Sequence, residues 1–162
     1  MLFRSTSFEM HVGSKWVLDA TGEPVTRAEP PSAVPDPRGI DRRVVSHRLL
    51  QGGFLAVAVE REPRETLQAL LRHQDLKAAK FIAAVSPDVD MADEENLLWG
   101  IFTRFDPALD LIFEEMSFIR ARPVYRGRIG IDATWKEGYP KPLEMTEEIT
   151  RLVDRRWGEY WR

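Results

Sequence analysis

Five carboxylates lie close together in the middle of the chain and form the first group that could do chemistry. They fall within eight residues, as Asp88, Asp90, Asp93, Glu94 and Glu95. Oxygen ligands at this density suit a divalent cation, but the order lacks the central glycine and final glutamate of an EF-hand loop. Asp93 also stands where a helix could begin, and acidic residues stabilise a helix N-terminus. We favour helix capping for this cluster, with a cation site as the alternative.

Other residues with catalytic or metal-binding chemistry are sparse or far apart. The three histidines, His11, His47 and His73, include no pair at helical spacing, which a zinc motif on a helix would need. The absence of cysteine excludes disulfides and thiolate chemistry. Gly52 and Gly53 precede an apolar run, whereas a phosphate-binding loop follows a strand. We therefore expect no catalytic residue and no metal ligand in this chain.

The composition is that of an ordinary globular chain with weak overall charge. Of 162 residues, 43% are hydrophobic and 30% charged, and 23 Lys and Arg against 26 Asp and Glu give a net charge of −3. Because the two signs are interspersed, no strong field exists to hold a nucleic acid. The longest apolar runs are far below the ~20 residues that cross a bilayer, and the N-terminus lacks an apolar signal region. We expect a cytoplasmic protein without nucleic-acid or membrane partners.

Apolar spacing predicts an α/β fold, in one domain with a mixed, mostly parallel sheet and flanking helices. Short apolar runs predict strands at 54–59, 80–85, 109–113 and 128–131. Apolar residues at helical spacing predict helices at 63–73, 93–105 and 146–160, the last an amphipathic C-terminal helix. Alternation of strands and helices favours parallel pairing across helical crossovers.

The first 52 residues are predicted to lie outside this α/β layer. Alternating apolar residues in 8–19, around Gly13 and Ser14, predict a small hairpin. Five prolines between Pro24 and Pro37 predict an extended strap that runs over a surface. We divide the chain into residues 1–52, the hairpin and strap, and residues 53–162, the α/β domain.

Three motifs in the second part follow one another in a specific order. The first motif, Ser86 to Asp90, follows a predicted strand. The second, Trp99 to Pro107, lies on a predicted helix and its end, and the third is Gly130 to Thr134. In order and spacing they resemble the C-terminal domain of the UbiD family of decarboxylases, over about residues 53–160. Three positions depart from the family pattern: Ser86 replaces an aspartate, Gly100 replaces an alanine, and Phe105 stands before Asp106 and Pro107. We assign structural roles to the motif residues Asp88, Asp90, Trp99, Thr103, Arg104, Asp106, Pro107, Asp132 and Thr134.

The resemblance implies a decarboxylase or carboxylase of aromatic or α,β-unsaturated acids. Members of the family use prenylated FMN, a divalent metal and potassium, held with the catalytic groups in a larger N-terminal region that nothing in this sequence matches. The resemblance therefore implies an accessory small subunit that binds none of these groups alone and completes the pocket of a larger UbiD-like catalytic subunit. The alternative is a non-catalytic homo-oligomeric assembly or binding module with the same fold.

The resemblance also places the pocket-forming segment between the second and third motifs, at 111–125. There Met116, Phe118 and Ile119 would supply apolar walls for the substrate. The alternative is that Phe113, Met116 and Ile119 belong to the ordinary core. Arg104 could pair with Asp88 or Asp90, and we favour this structural bridge over substrate binding.

Large aromatic residues lie at the C-terminal end of the sequence. Trp157, Tyr160 and Trp161 lie where a terminus normally frays, and aromatic side chains dominate protein interfaces. We predict that these three residues contact another chain, in a homo- or hetero-oligomer. For Trp157 the alternative is packing on the chain's own sheet.

Overall fold

The computed structural model describes residues 2–3, 15–16, 33–137 and 145–160. Its strands are β1 Leu2–Phe3, β2 Lys15–Trp16, β3 Val44–Leu50, β4 Phe54–Val59, β5 Phe81–Val85, β6 Leu111–Ile119 and β7 Arg122–Ala133. Its α-helices are α1 Pro63–Arg72, α2 Glu94–Thr103 and α3 Glu147–Arg156. The last five strands form one mixed sheet in the order β3-β4-β5-β7-β6. The predicted single α/β domain is confirmed.

Pairing in this sheet is parallel at its centre and antiparallel at both edges. β5 runs parallel to β4 and to β7, whereas β3 pairs antiparallel with β4 and β6 antiparallel with β7. β3 belongs to this sheet although it lies within residues 1–52, which were predicted to lie outside the α/β layer; the strand was missed because its apolar and polar residues do not alternate. The strands predicted at 109–113 and 128–131 are the inner ends of a longer hairpin, whose outer half extends beyond the predicted bounds.

The N-terminal predictions lie mostly outside the described residues. Of the predicted hairpin at 8–19 only β2 is described, and it pairs antiparallel with β1, so that Trp16 faces Leu2. Of the Pro-rich strap, residues 33–37 are described, and Pro37 begins a short 3₁₀ helix that ends at Gly39. Most of the strap therefore stays a prediction.

Alternating side chains on the central strands build two apolar layers. On β4, Leu55 and Val57 face α1, while Ala56 and Ala58 face α2. The layer under α1 is filled by Leu67, Leu70 and Leu71. The layer under α2 is filled by Leu97, Ile101 and Phe105. Strands buried on both faces read as continuous apolar runs, and this is why β4 and β5 are predicted to within one residue.

Hydrogen bonds to aspartate side chains determine where α2 begins. Oδ1 of Asp93 accepts hydrogen bonds from the backbone N–H groups of Glu95, at 3.0 Å, and Asn96, at 3.2 Å, so Asp93 is the predicted N-cap of α2. Asp90 caps the loop before it by accepting from the N–H of Ala92 at 2.8 Å. The helix-capping interpretation of the acidic cluster is therefore confirmed for Asp93, whereas Asp90 stabilises the preceding loop.

A β-bulge at Gly127 separates the buried and exposed halves of the β6–β7 hairpin. The register between the strands shifts beside Glu114, and Gly127 has φ +80°. The carboxylate of Glu114 accepts from the backbone N–H of Arg128 at 2.9 Å and from its guanidinium at 2.7 and 3.1 Å. Arg128 is buried, and it also donates to the carbonyl of His73, just after α1. The bulge thus ties the hairpin to the helical layer.

Gly127→Ala tests this bulge. An L-residue is disfavoured at this φ, and a Cβ would collide with the Glu114 carboxylate. We expect a loss of about 2 kcal/mol in the free energy of unfolding, measured by denaturant titration. Gly158→Ala is the matched control, because a Cβ there meets nothing within 4 Å, and its effect should stay within about 0.5 kcal/mol. Equal effects of the two substitutions would contradict the assigned role of Gly127.

Candidate functional site

The motif residues meet at one edge of the sheet, where β5 and β7 end. Asp88 follows β5, Asp132 and Thr134 lie at the end of β7, and Asp106 lies in the connection from α2 to β6. In open α/β sheets this carboxyl edge is where ligands usually bind. The sequence motifs are thus brought together by the topology, as parallel pairing requires.

Arg104 forms the predicted bridge to Asp88. Its guanidinium donates to the two carboxylate oxygens at 2.9 and 2.8 Å. Arg104 is only 7% exposed, whereas 57% of the Asp88 side chain faces solvent. The hydrogen bond from Arg104 is the main cause that holds the pKa of Asp88 below its usual value. The pair anchors the end of α2 to the loop after β5.

Asp132 and its neighbours form a second polar cluster at the same edge. Oδ1 of Asp132 accepts from the Thr134 hydroxyl at 2.6 Å and from its backbone N–H at 3.1 Å. The ammonium of Lys136 lies 3.3 Å from carboxylate oxygens of both Asp132 and Asp110. Asp110 also accepts from the N–H of Asp106 at 2.7 Å. The two buried aspartates therefore share one lysine, which lies outside the three sequence motifs and was not predicted.

The remaining motif residues also make local contacts. Thr103 donates its hydroxyl hydrogen bond to the carbonyl of Trp99 at 2.7 Å, and α2 ends there, two residues earlier than predicted. Asp106 accepts from the N–H of Ala108 at 2.9 Å in the turn that contains Pro107. These contacts hold the loops of the carboxyl edge in place.

The described residues contain no cluster placed to hold a metal ion, and one shallow cavity does not suit a flavin phosphate. No three His, Asp or Glu side chains in 33–137 and 145–160 are placed to hold a metal. A shallow cavity of about 260 Å³ lies beside Asp93, Glu95, Asn96 and Trp99. A flavin phosphate there would face two carboxylates, and Asp93 already caps the N–H groups of the helix. We derive no chemistry from a cofactor on this surface.

The predicted pocket residues lie on an arm that β6 and β7 extend beyond the sheet. β5 pairs with β7 only at Ile129 to Ala133, so the outer part of β7 pairs with β6 alone. We call residues 114–127 the arm. Met116, Phe118 and Ile119 on it are 58%, 66% and 51% exposed. The alternative that Met116 and Ile119 belong to the core is therefore wrong, because both are exposed and no second layer covers the arm within the described part of the chain.

Tyr125 belongs to the same apolar surface, although it was not among the predicted pocket residues. It faces Met116 across the hairpin, is exposed, and its ring stacks on Phe113 with centroids 4.0 Å apart. The signal that could have found it is the spacing of Met116 and Phe118, which alternate on one face of a strand. A longer predicted hairpin would have placed Tyr125 beside them.

The arm and the polar carboxyl edge are far apart. Leu111 begins β6 at the carboxyl edge, and Ile119 ends it at the tip, eight residues later. At about 3.3 Å per residue the two lie about 26 Å from each other. The motif residues therefore make their contacts at the carboxyl edge of the sheet. The side chains predicted to form the apolar walls of a pocket lie on a separate surface.

The aromatic residues at the C-terminus follow a helix that buries none of its own residues. Trp157 and Tyr160 are half exposed and pack against each other at 6.4 Å, edge to face. Trp161 lies outside the described residues. Their predicted contact with another chain stays a prediction. None of the described helices is both long and apolar enough to span a bilayer.

Asp88→Asn tests the bridge to Arg104. Because the pKa of Asp88 is lowered in the folded state, the stabilisation is present above the unfolded value of 3.8 and is lost as pH falls through the folded value. We expect a loss of about 1 kcal/mol at neutral pH, since more than half of the Asp88 side chain faces water. Denaturant titrations at about pH 7 and about pH 3 should show the difference from wild type shrinking in acid.

Glu60→Gln is the control for this substitution. Glu60 is exposed and has no ion pair among the described residues. It should change stability little at either pH. A loss for Asp88→Asn that is the same at both pH values would contradict the charged bridge.

Comparison with known proteins identifies the family of the domain. Residues 39–133 match the family model of the 3-octaprenyl-4-hydroxybenzoate carboxy-lyase C-terminal domain. A protein of Chlamydia pneumoniae, named as one subunit of a 4-hydroxybenzoate decarboxylase, is 34% identical over 110 residues, which cover 67% of this chain and 19% of that protein. An uncharacterized protein of Aeropyrum pernix is 28% identical over 140 residues, covering 76% of this chain and 29% of that one.

A solved structure shows the same fold. The closed form of vanillic acid decarboxylase from Sedimentibacter hydroxybenzoicus aligns with a TM-score of 0.52 at 16% identity, covering 78% of this chain and 31% of that chain. The chain thus spans less than a third of the length of these relatives. The family model covers more than half of this chain. It includes all three motifs except the last residue of the third. The resemblance seen in the sequence is therefore confirmed. This chain belongs to the family of UbiD carboxy-lyase C-terminal domains.

Proposed function

We propose that this chain is the accessory small subunit of a prenylated-FMN-dependent decarboxylase or carboxylase. In this proposal a larger UbiD-like subunit holds the flavin, a divalent metal and potassium. The small subunit supplies apolar walls to the pocket for an aromatic or α,β-unsaturated acid. The observation that carries the proposal is the arm, which holds Met116, Phe118 and Ile119 in solvent on a segment that links two family motifs.

Two relatives have names that indicate enzymes of more than one subunit, and in both the segment that matches this chain is less than a third of a longer chain. The Chlamydia pneumoniae protein is named as one subunit of a decarboxylase. The name of the aligned vanillic acid decarboxylase denotes an enzyme of two components. A catalytic apparatus on another chain also agrees with the carboxyl edge of this domain, whose polar groups hydrogen-bond to one another.

The arm is suited to a pocket wall because it combines apolar exposure with a rigid base. At the base, the pair of Glu114 and Arg128 fixes the direction in which the hairpin leaves the sheet. Beyond it, Met116 lies opposite Tyr125 and Phe118 opposite Pro123. Such a surface can exclude water from an apolar substrate and contribute contacts that select its shape. Its apolar side chains have no proton to transfer.

The proposal predicts that the arm affects substrate preference. In a complex co-expressed with the larger subunit, Met116→Ala and Phe118→Ala should each change the ratio of kcat/KM between a bulky and a small aromatic acid by about tenfold. Leu109→Ala is the control, because Leu109 is equally exposed but lies at the carboxyl edge. Steady-state decarboxylation assays give the ratios, and size-exclusion chromatography verifies that each complex stays intact.

The small subunit alone should not turn over any acid, even with prenylated FMN and metal added. Turnover by the purified chain would overturn the proposal. So would a larger subunit that is fully active without this chain. Unchanged kcat/KM ratios in intact complexes would instead refute the pocket role of the arm and leave the subunit assignment standing.

A further inference from the structure

We propose that two arginines at the tip of the arm, Arg120 and Arg122, attract the negatively charged acid to the pocket. They act through their electric field, which favours binding of the substrate and so lowers its KM. This inference rests on the proposed function, because it concerns the substrate of the same surface.

The starting observation is that the exposed charges of the arm are mostly positive. Three exposed arginines on it have no ion pair among the described residues: Arg120, Arg122 and Arg126. The arm also has two carboxylates, but Glu114 is bound to the buried Arg128, which leaves Glu115 as the one counter-charge. The exposed groups therefore carry a net charge of +2, on a chain whose net charge is −3.

The register of the hairpin places two of these charges where no carboxylate faces them. Arg126 lies directly opposite Glu115 in the ladder, so these two charges partly cancel. Arg122 lies opposite Ile119, and Arg120 lies in the two-residue turn that joins the strands. The uncompensated positive charge of the arm is therefore at its tip.

The backbone of the turn is a second observation that points to a function of Arg120. Arg120 and Ala121 have φ of 48° and 62°. A two-residue hairpin turn of type I′ requires positive φ at both central positions, where Asn-Gly is strongly preferred. An arginine and an alanine are strained in this region, and strained residues cluster at functional sites. The charge of Arg120 is the property that an unstrained glycine would not supply.

The tip and the apolar face together match the two parts of an aromatic acid. Met116 and Phe118 share one face of the hairpin, and Tyr125 lies directly opposite Met116. An aromatic acid has an apolar ring and, at neutral pH, a carboxylate with one negative charge. Apolar contact can hold the ring while the field of the two arginines favours the carboxylate. The arginines need not touch the substrate for this effect.

Coulomb's law sets the size of this attraction. Two positive charges about 8 Å from a carboxylate in water increase its binding constant about fourfold in about 0.01 M salt, where the Debye length is about 30 Å. In about 1 M salt the Debye length is about 3 Å, and the attraction is almost completely screened. A role of the field therefore predicts a KM that depends on salt.

Charge reversal in the complex co-expressed with the larger subunit tests this role. Arg120→Glu combined with Arg122→Glu should raise KM for an aromatic acid about fifteenfold in about 0.01 M salt, because attraction becomes repulsion, and leave KM unchanged in about 1 M salt. The value of kcat should not change. The matched control combines Arg42→Glu with Arg61→Glu, which reverse two exposed charges beside the end of β4 and should keep the wild-type KM.

The strained turn provides a second test, in which stability and substrate binding change in opposite directions. Arg120→Gly relieves the backbone strain and removes one charge, so it should raise the denaturation midpoint of the chain and also raise KM about twofold in about 0.01 M salt. Ala121→Gly is the matched control, because it relieves strain at the neighbouring residue without a change of charge. It should raise the midpoint and leave KM unchanged.

The results separate this inference from the proposed function. In an active complex, equal KM values for the tip and control reversals, or a raised KM that persists in about 1 M salt, would overturn the role of the arginines alone. So would separation of the tip variant from the larger subunit on size-exclusion chromatography, since the arginines would then bind that subunit. A wild-type complex that turns over no acid would overturn both proposals.

Discussion

The difference in length between β7 and its inner neighbour is the constraint on which the rest of the structure depends. β7 has twelve residues, whereas β5 has five. Of the residues of β7, only the last five pair with β5. The outer part of β7 therefore has no partner except β6 within the described chain, and the two strands must leave the sheet as a ribbon. A two-stranded ribbon without a second layer cannot bury its side chains. Every exposed apolar residue of the arm follows from this mismatch.

A charge pair at the base of the ribbon, with Arg128 buried and Glu114 partly exposed, ties the ribbon to the rest of the domain. Burial alone would raise the pKa of the Glu114 carboxyl, but hydrogen bonds from Arg128 outweigh this and lower it. Arg128 then reaches the carbonyl after α1, so its guanidinium links the ribbon, the bulge and the helical layer. The pair disfavours other geometries of the ribbon, because they would leave the buried Arg128 charge unpaired, which is costly. The direction of the arm is thus specified by electrostatics rather than by core packing.

The sequence predicts the parts of this fold whose pattern is set by burial. β4, β5 and the starts of α1 and α2 follow from apolar runs, Pro63 and the Asp93 cap. The sequence also predicts that Arg104, near the end of α2, pairs with Asp88 or Asp90 after β5, and the structure shows the pair with Asp88. β3 and the outer part of the hairpin could not be predicted in this way, because β3 is buried only at its two ends and the outer hairpin faces solvent, so neither has a regular burial period. Lys136 was missed for a related reason, since only the folded topology brings it to Asp110 and Asp132.

The two ends of β6 place different chemistry on the two sides of one domain. At the carboxyl edge, where α/β enzymes commonly bind substrates, the aspartates bind arginine, lysine, a threonine and backbone groups of the same domain. At the tip, Met116, Phe118 and Ile119 stand in water. A monomer that exposed this surface permanently would tend to self-associate or aggregate. Coverage of the tip by a larger subunit, as proposed above, would remove this apolar surface from water.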